Sequence, residues 1–154
     1  MTTRPATPAD AAFLLALFAE SGDAAAWIAS TDPRLLHRQF SAQQSGYAAQ
    51  FPGARHEIVV VDGEPAGHVR WIEVDREVRI IDVGVVPRCR RQGIAARVYD
   101  TILAHARARG KPARASVARL NAVSLAFHAR LGFVTEAETD THFVLVAPAV
   151  GVQA

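Results

Sequence analysis

The sequence has few of the residues that mark disulfide-bonded, metal-binding or membrane proteins. Cys89 is its single cysteine, which excludes an internal disulfide and a cysteine-based metal site. No apolar run approaches the roughly 18 residues that span a bilayer, and the start, MTTRPATPAD, lacks the basic-then-apolar layout of a signal peptide. We therefore expect a protein of the reducing cytoplasm, with neither a metal nor a membrane partner.

The length and composition are those of one globular domain. The chain has 154 residues, which suffice for one sizeable core and are too few for two ordinary domains. Hydrophobic residues make up 50% of the chain and charged residues 21%, which is typical of a folded rather than a disordered protein. Because no repeat or linker interrupts the sequence, we predict a single domain over residues 1–154.

Acidic residues are nearly absent from the stretch 88–130, where Asp100 is the one acid. The basic residues of that stretch are Arg88, Arg90, Arg91, Arg97, Arg107, Arg109, Lys111, Arg114, Arg119 and Arg130. Such a positive field favours a polyanion, either nucleic acid or a phosphorylated cofactor, unless it is a solvated surface. Only Tyr99 and Phe127 lie among these cations, so the stacking aromatics of a nucleic-acid site are missing and we expect no nucleic-acid partner.

Hydrophobic periodicity predicts one α+β domain. Pro8 and Asp10 suit the first turn of a helix, and Gly132 suits a left-handed helix end. The short turn GEP separates a β-branched run from a run of alternating polarity, which predicts an antiparallel hairpin. The predicted elements are helices over 8–20, 32–51, 93–109 and 121–131, strands over 56–62, 66–75, 78–86 and 113–119, and a last antiparallel pair from FVTEAE and THFVLVA.

The stretch RRQGIA, residues 90–95, follows the strand IIDVGVVP after Arg88 and Cys89 and precedes a helix. The first turn of a helix has unpaired N–H groups, which together with the helix dipole form an anion site. Gly93 has no Cβ to prevent close approach to the backbone, and arginines add charge-assisted hydrogen bonds to phosphate oxygens. The pattern predicts a pyrophosphate cradle, although a short glycine motif alone is weak evidence.

A second motif, NAVSLAFHARLGF at 121–133, lies one helix and one strand further on. The order of the two motifs resembles the GCN5-related N-acetyltransferase (GNAT) superfamily, whose signature is matched at Arg90, Gly93 and Ala95 and again at Asn121 and 131–133. The resemblance implies a mixed, mostly antiparallel central sheet of six to seven strands, flanked by about four helices, in which the fourth and fifth strands splay apart.

The resemblance also implies acetyl-CoA, or coenzyme A, as the ligand. Backbone groups of Val83, Gly84 and Val85 would hydrogen-bond the pantetheine arm, and Asn121 and Arg130 would contact the rest of the cofactor, with Arg88 an alternative for its 3′-phosphate. The pyrophosphate would be held by the backbone of Arg90, Arg91, Gln92, Gly93, Ile94 and Ala95.

The implied reaction is direct acetyl transfer to a primary amine. The family commonly places a tyrosine as proton donor at the position of His128, so this histidine is either the acid or a partly buried helix residue. Asp82 and Glu73 are candidate bases, because a partly buried carboxylate can have a raised pKa. Either carboxylate is otherwise a polar residue of the sheet edge.

The function implied is an N-acetyltransferase, an acyltransferase of groups other than amino-acyl groups, acting on a small-molecule or peptide amine. The alternative is a non-catalytic acyl-CoA-binding regulatory domain that has lost its acid. Amides and aromatics for an acceptor site come from Trp27, Gln39, Gln43, Gln44, Tyr47 and Phe51. The resemblance favours a homodimer.

Overall fold

The computed structural model describes residues 1–149. These form seven strands and five α-helices, and the strands make one mixed sheet in the order β1-β2-β3-β4-β5-β7-β6. In chain order the elements are β1 (Thr2–Pro5), α1 (Ala11–Ala19), α2 (Asp23–Thr31), α3 (Pro33–Gln50), β2 (Arg55–Val61), β3 (Glu64–Glu73), β4 (Val78–Val85), α4 (Ile94–Ala108), β5 (Ala113–Ala118), α5 (Ala122–Arg130), β6 (Val134–Glu138) and β7 (His142–Ala147). The predicted α+β class and mixed sheet are confirmed.

The chain divides into two compact units. The first holds Met1–Arg70 and Asp82–Ala95, and the second holds Trp71–Ile81 and the described residues from Ala96 onward. Strands β3 and β4 and helix α4 each contribute residues to both units. The assignment of the whole chain to one domain stays a prediction.

In the first unit, β1 pairs with β2 in antiparallel register, with Thr2 opposite Val60 and Pro5 opposite Glu57. Helix α3 begins where Pro33 supplies a fixed φ and the Asp32 side chain accepts a hydrogen bond from the Leu35 amide at 3.2 Å. The core residues of this unit include Leu17, Leu36, Ile58, Val59, Ala66 and Val69. They come from α1, α3, β2 and β3, and because neighbouring strand residues point to opposite faces, the burial of both Ile58 and Val59 shows that β2 is covered on both faces.

In the second unit, β4 runs parallel to β5 over Val78–Ile80 and Ala113–Ala115. This pairing covers only the first residues of each strand, as expected for strands that splay. Strand β7 pairs antiparallel with β5 and with β6. The predicted i, i+4 stripe of α4 is confirmed, since Val98, Ile102 and Ala106 are each at most 4% exposed.

Two elements escaped sequence-based prediction. Helix α2 is DAAAWIAST, in which alanines occur all round, so no apolar stripe marks it. Strand β1 is TTRP, which is short, polar and fully exposed, and it is recognisable only from its pairing with β2. The helix predicted to start at Pro8 begins with a 3-10 turn over Pro8–Asp10 and continues as α1.

Among residues 1–149, no single helix has the length and hydropathy to cross a membrane. The helical segments Pro8–Ala19 and Asp23–Thr31 reach these limits only when taken together, and they are bent by 114° at the break between them.

Candidate active site

The predicted cradle is a turn with two left-handed residues at the start of α4. After β4 ends at Val85, a 3-10 turn covers Pro87–Cys89, Arg91 has φ 63° and Gly93 has φ 76°. A Cβ built on Gly93 would meet no atom within 4 Å, so the space beside this residue is open. Since the first N–H groups of α4 have no acceptor within the helix, the turn can hold an anion.

The Arg90 side chain secures this turn to its surroundings. Its Nε donates to the Val85 carbonyl at 3.0 Å and its Nη2 to the Glu20 carbonyl at 3.2 Å. Similarly, Arg88 donates from Nη2 to the Pro65 carbonyl at 3.0 Å. Sequence analysis expected the Arg90 guanidinium to face a phosphate, whereas here it joins the end of β4 to the end of α1.

Gly84 on β4 has little free space around it. A Cβ at this position would lie 3.1 and 3.2 Å from Cδ2 and Nε2 of His68, and 3.3 Å from Cδ2 of Leu17. From the resemblance we expected the backbone of this residue to hydrogen-bond the pantetheine arm. The structure shows in addition that the His68 ring and Leu17 of α1 pack against this point of the strand.

Asp82 lies two residues before Gly84 on β4 and faces the same histidine. Its Oδ2 is 3.5 Å from His68 Nε2, and its side chain is 32% exposed while that of His68 is 11% exposed. Asp82 is thus a carboxylate at the boundary between a buried polar group and solvent. Burial raises its pKa, and Arg70 and the Val83 amide partly oppose that rise.

Behind Asp82 the polar contacts continue across the first unit. His68 Nδ1 lies 3.0 Å from His56 Nε2, and His56 Nδ1 lies 3.1 Å from Nη2 of Arg70. The same Nη2 donates to Gln44 Oε1 on α3, and the guanidinium lies over the Tyr47 ring at 5.2 Å from its centroid. We call His56, His68, Arg70 and Asp82 the histidine chain.

The two histidines of this chain are neutral at pH 7. Burial, and the positive charge of Arg70 next, lower the pKa of both His56 and His68 from the usual 6.5 to about 4. Burial also raises the pKa of Tyr47 to about 12, with a further contribution from Asp82. Arg70 therefore stands beside two neutral imidazoles in this group.

Glu73, the second carboxylate predicted as a base, has different contacts in the second unit. It accepts hydrogen bonds from His105 at 2.8 Å, from Lys111 at 2.8 Å and from Arg109. The bonds from Lys111 and His105 contribute most to lowering its pKa to about 2. A carboxylate so paired is a poor proton acceptor at neutral pH, and this geometry favours a structural part for Glu73.

His128 is buried in the second unit, with both ring nitrogens occupied. Its Nδ1 lies 2.7 Å from the Ser124 carbonyl, which can only accept, so Nδ1 carries the proton. Nε2 then accepts from the Tyr99 hydroxyl at 2.7 Å. Burial lowers the pKa of His128, and the rings of Phe127 and Phe133 contact the imidazole edge-on.

The other residues of the second motif include a helix cap. The Asn121 side chain accepts from the Ser124 amide at 3.1 Å and so caps α5. Arg130 is exposed in the last turn of the same helix. Gly132 has φ 92°, which confirms the predicted left-handed residue after α5.

Comparison with known families matches this arrangement over most of the chain. The family model described as "Acetyltransferase (GNAT) family" matches residues 15–133, which include the histidine chain, the turn at Gly93 and both motifs. The chain belongs to the GNAT acetyltransferase family. No curated protein is significantly similar to it in sequence.

Solved GNAT structures share the fold at low sequence identity. The PaiA N-acetyltransferase from Thermoplasma acidophilum, in complex with coenzyme A, is 14% identical with a TM-score of 0.73, covering 96% of this chain and 98% of its own. A ribosomal-protein alanine N-acetyltransferase from Escherichia coli is 14% identical, with a TM-score of 0.68 and coverages of 99% and 96%. A spermidine N-acetyltransferase chimera based on the Vibrio cholerae enzyme is 15% identical, with a TM-score of 0.68 and coverages of 97% and 97%.

Sequence reasoning about this GNAT protein missed two members of the histidine chain, His56 and Arg70. A signal for Arg70 was present, because His68 and Arg70 alternate with Val69 and Trp71 along β3, yet all four are buried. A charged residue on a strand buried on both faces indicates a buried polar group. Among residues 1–149, no group of three or more His, Cys, Asp or Glu side chains is arranged to hold a metal ion, and the absence of a metal stays a prediction.

Proposed function

We propose that this GNAT protein transfers an acetyl group from acetyl-CoA to a primary amine of a small molecule or peptide, directly and without a covalent enzyme intermediate. The observation that carries the proposal is the open, left-handed turn at Gly93 between β4 and α4, inside a chain that belongs to this family. A structural neighbour of the same fold was solved with coenzyme A.

The residues present fit the donor. The backbone amides of 90–95 would hold the pyrophosphate, and the backbone of Val83, Gly84 and Val85 would hold the pantetheine arm. Asn121 and Arg130 remain the proposed contacts of the second motif. When bound, the thioester supplies an activated acetyl group.

Asp82 is the proposed base. An alkylammonium has a pKa of about 10 and must lose its proton before it attacks. The Asp82 carboxyl has a raised pKa, is partly exposed and is joined to a fixed polar group, which suits a proton acceptor at neutral pH. Glu73, paired with Arg109 and Lys111 and hydrogen-bonded to His105, is the weaker proposal.

His128 remains the proposed proton donor only if its bonds rearrange. Its one ring proton is on Nδ1 and is donated to the Ser124 carbonyl, while its Nε2 accepts from the Tyr99 hydroxyl. A thiol has a pKa of about 8.5, so its thiolate leaves without a strong acid. Unchanged acetyl transfer in His128→Ala across the pH range would exclude His128 as the acid.

The acceptor is proposed as a class only. The structural neighbours include one enzyme named for a protein-bound alanine and one named for spermidine, so the shared fold is compatible with peptides and with small amines. A homodimer in the cytoplasm, without nucleic acid or membrane partners, is the proposed setting.

Calorimetric titration with acetyl-CoA tests the cradle. We expect wild-type protein to bind and Gly93→Arg to lose binding, because the new side chain fills the space beside the turn. Gly63→Arg is the matched control, since Gly63 also has a positive φ (77°) and open space around its Cβ but lies in the turn between β2 and β3. Equal binding by Gly93→Arg and Gly63→Arg would refute the cradle.

A second candidate is a non-catalytic acyl-CoA-binding domain. The position of the family's catalytic tyrosine holds His128, whose nitrogens are both engaged, and this favours loss of the acid. Binding of acetyl-CoA without transfer to any amine in a broad screen would support this candidate over the enzyme.

A further inference from the structure

The histidine chain links a buried cation to the proposed base through two imidazole rings. Arg70 Nη2 contacts His56 Nδ1 at 3.1 Å, His56 Nε2 contacts His68 Nδ1 at 3.0 Å, and His68 Nε2 is 3.5 Å from Asp82 Oδ2. The four residues lie in the same compact unit, on β2, β3 and β4. The inference below rests on the proposed function only in its use of Asp82 as base.

The chemistry of the donors fixes the direction of every bond. A guanidinium has N–H donors and no acceptor, so His56 Nδ1 must accept from Arg70. A neutral imidazole carries one proton, which in His56 is therefore on Nε2 and is donated to Nδ1 of His68. The proton of His68 is then on Nε2, and this N–H faces the Asp82 carboxylate.

We propose that Arg70 is a positioning residue that acts through His56 to hold His68 in the Nε2–H tautomer, so that an N–H faces Asp82 and keeps this carboxylate a proton acceptor. The opposite tautomer of His68 would direct a lone pair at the carboxylate, which would disfavour the charged form. If His68 carried its proton on Nδ1, Nε2 of His56 would have to accept it, and His56 would then carry its own proton on Nδ1. There it would face the N–H of Arg70, which is also a donor.

The surroundings of Arg70 fit a residue that is held in place to fix the tautomers of His56 and His68. It is only 9% exposed, it donates to Gln44 and lies over Tyr47, and no carboxylate is within salt-bridge distance of it among residues 1–149. Its Nε is buried without a hydrogen-bond partner in that part of the chain. Because such burial is costly, the arrangement favours a role for the cation beyond packing.

Other ionisable groups facing the histidine chain leave this direction unchanged. Tyr47 is protonated at pH 7, since its pKa is raised to about 12. Asp10, whose negative charge acts to raise the pKa of His56, is itself paired with Arg4 at 2.8 Å. Both histidines are neutral because burial and Arg70 lower their pKa values to about 4.

The direction of the bonds also decides where a proton taken up by Asp82 can go. When an ammonium group transfers its proton to the carboxylate, His68 already carries hydrogen on the facing nitrogen and cannot accept it. The chain ends at Arg70, which accepts no proton either. The proton therefore leaves Asp82 to solvent through its exposed face, and the histidines orient the base without conducting protons.

Nitrogen NMR of histidine-labelled protein at pH 7 tests the tautomers without any substrate. We expect His56 and His68 both to be neutral and protonated on Nε2 in the wild type. Arg70→Met should allow a mixture of tautomers in both rings, while Arg79→Met, which removes another strand arginine that pairs with Glu77, should leave them unchanged. A wild-type spectrum with His68 protonated on Nδ1, or unchanged tautomers in folded Arg70→Met, would overturn the proposal.

Kinetics separates this proposal from the proposed function. If acetyl transfer is found, the acidic limb of the pH profile of kcat/KM should move to higher pH by about one unit in Arg70→Met. In Arg70→Lys the limb should lie between those of wild type and Arg70→Met, and KM for the amine should change little in either variant. An unmoved limb in Arg70→Met would overturn the link to Asp82. Failure of the protein to acetylate any amine would reject the proposed function, whereas the tautomers would still be decided by the spectra.

Discussion

Substitution of Gly84 by alanine should show how tightly the first unit packs around the proposed base. The added Cβ would lie 3.1 and 3.2 Å from two ring atoms of His68 and 3.3 Å from Leu17, so these neighbours must move by a few tenths of an ångström. The His68 ring has little freedom to do so, because His56 is bonded to its opposite nitrogen at 3.0 Å. Gly84 lies outside the left-handed region, so backbone strain does not contribute.

The magnitude follows from two opposing effects. Overpacking of a core costs about 1–3 kcal/mol, while replacing glycine stabilises by about 0.4–1 kcal/mol through the unfolded chain. We therefore expect Gly84→Ala to lower the free energy of unfolding by about 1–2 kcal/mol, equivalent to about 2–8 °C in Tm for a chain of this size. Displacement of His68 should also reduce any acetyl transfer.

Urea denaturation followed by circular dichroism measures the effect. Gly46→Ala is the matched control: Gly46 lies within α3 with no atom within 4 Å of a built Cβ, so alanine there should stabilise by about 0.5–1 kcal/mol. Equal stabilisation by both substitutions would refute the packing of His68 against Gly84.

Three further predictions concern stability. Asp32→Ala should lower the free energy of unfolding by about 0.5–2 kcal/mol in denaturant titration, because the Leu35 amide loses its cap. Asp32→Asn should retain most of the wild-type stability, and a loss in Asp32→Asn as large as that in Asp32→Ala would contradict the capping argument. Wild-type protein should lose stability as the pH falls from about 6.5 to 4, and His68 should contribute up to about 1.4 kcal/mol per pH unit to that loss. The reason is that His68 binds a proton over this range in the unfolded chain but not in the folded one, where its pKa is about 4. The dependence of the free energy of unfolding on pH, measured by denaturant titration, should be flatter in His68→Gln. Glu73→Gln should lower Tm at pH 7, since Lys111 and Arg109 lose their charged partner. The difference in Tm between wild type and Glu73→Gln should narrow between pH 4.5 and 2, where the native carboxylate with pKa about 2 becomes protonated. A constant difference in Tm over that range would contradict the ion-pair explanation.

Local patterns in the sequence were enough to predict most elements and the glycine-containing turn before α4. The stripe of α4, the turn at Gly93 and the left-handed glycine at 132 depend on residues within one or two helical turns of each other. Helix α2 and strand β1 were missed because neither has a local apolar pattern. The motifs of the two regions led to the family, which the comparison confirms over residues 15–133.

The sequence by itself determined the order of the elements other than β1 and α2, the α+β class, the turn at Gly93 and the family, because each depends on spacing along the chain. The tertiary structure decided the environment of each ionisable group. It brought His56, His68 and Arg70 together behind Asp82, placed Arg109, Lys111 and His105 around Glu73, and buried His128 against Tyr99. The physical reason is that hydrogen bonds and pKa shifts depend on distances of a few ångströms between residues far apart in sequence, and these distances are set only when strands and helices pack.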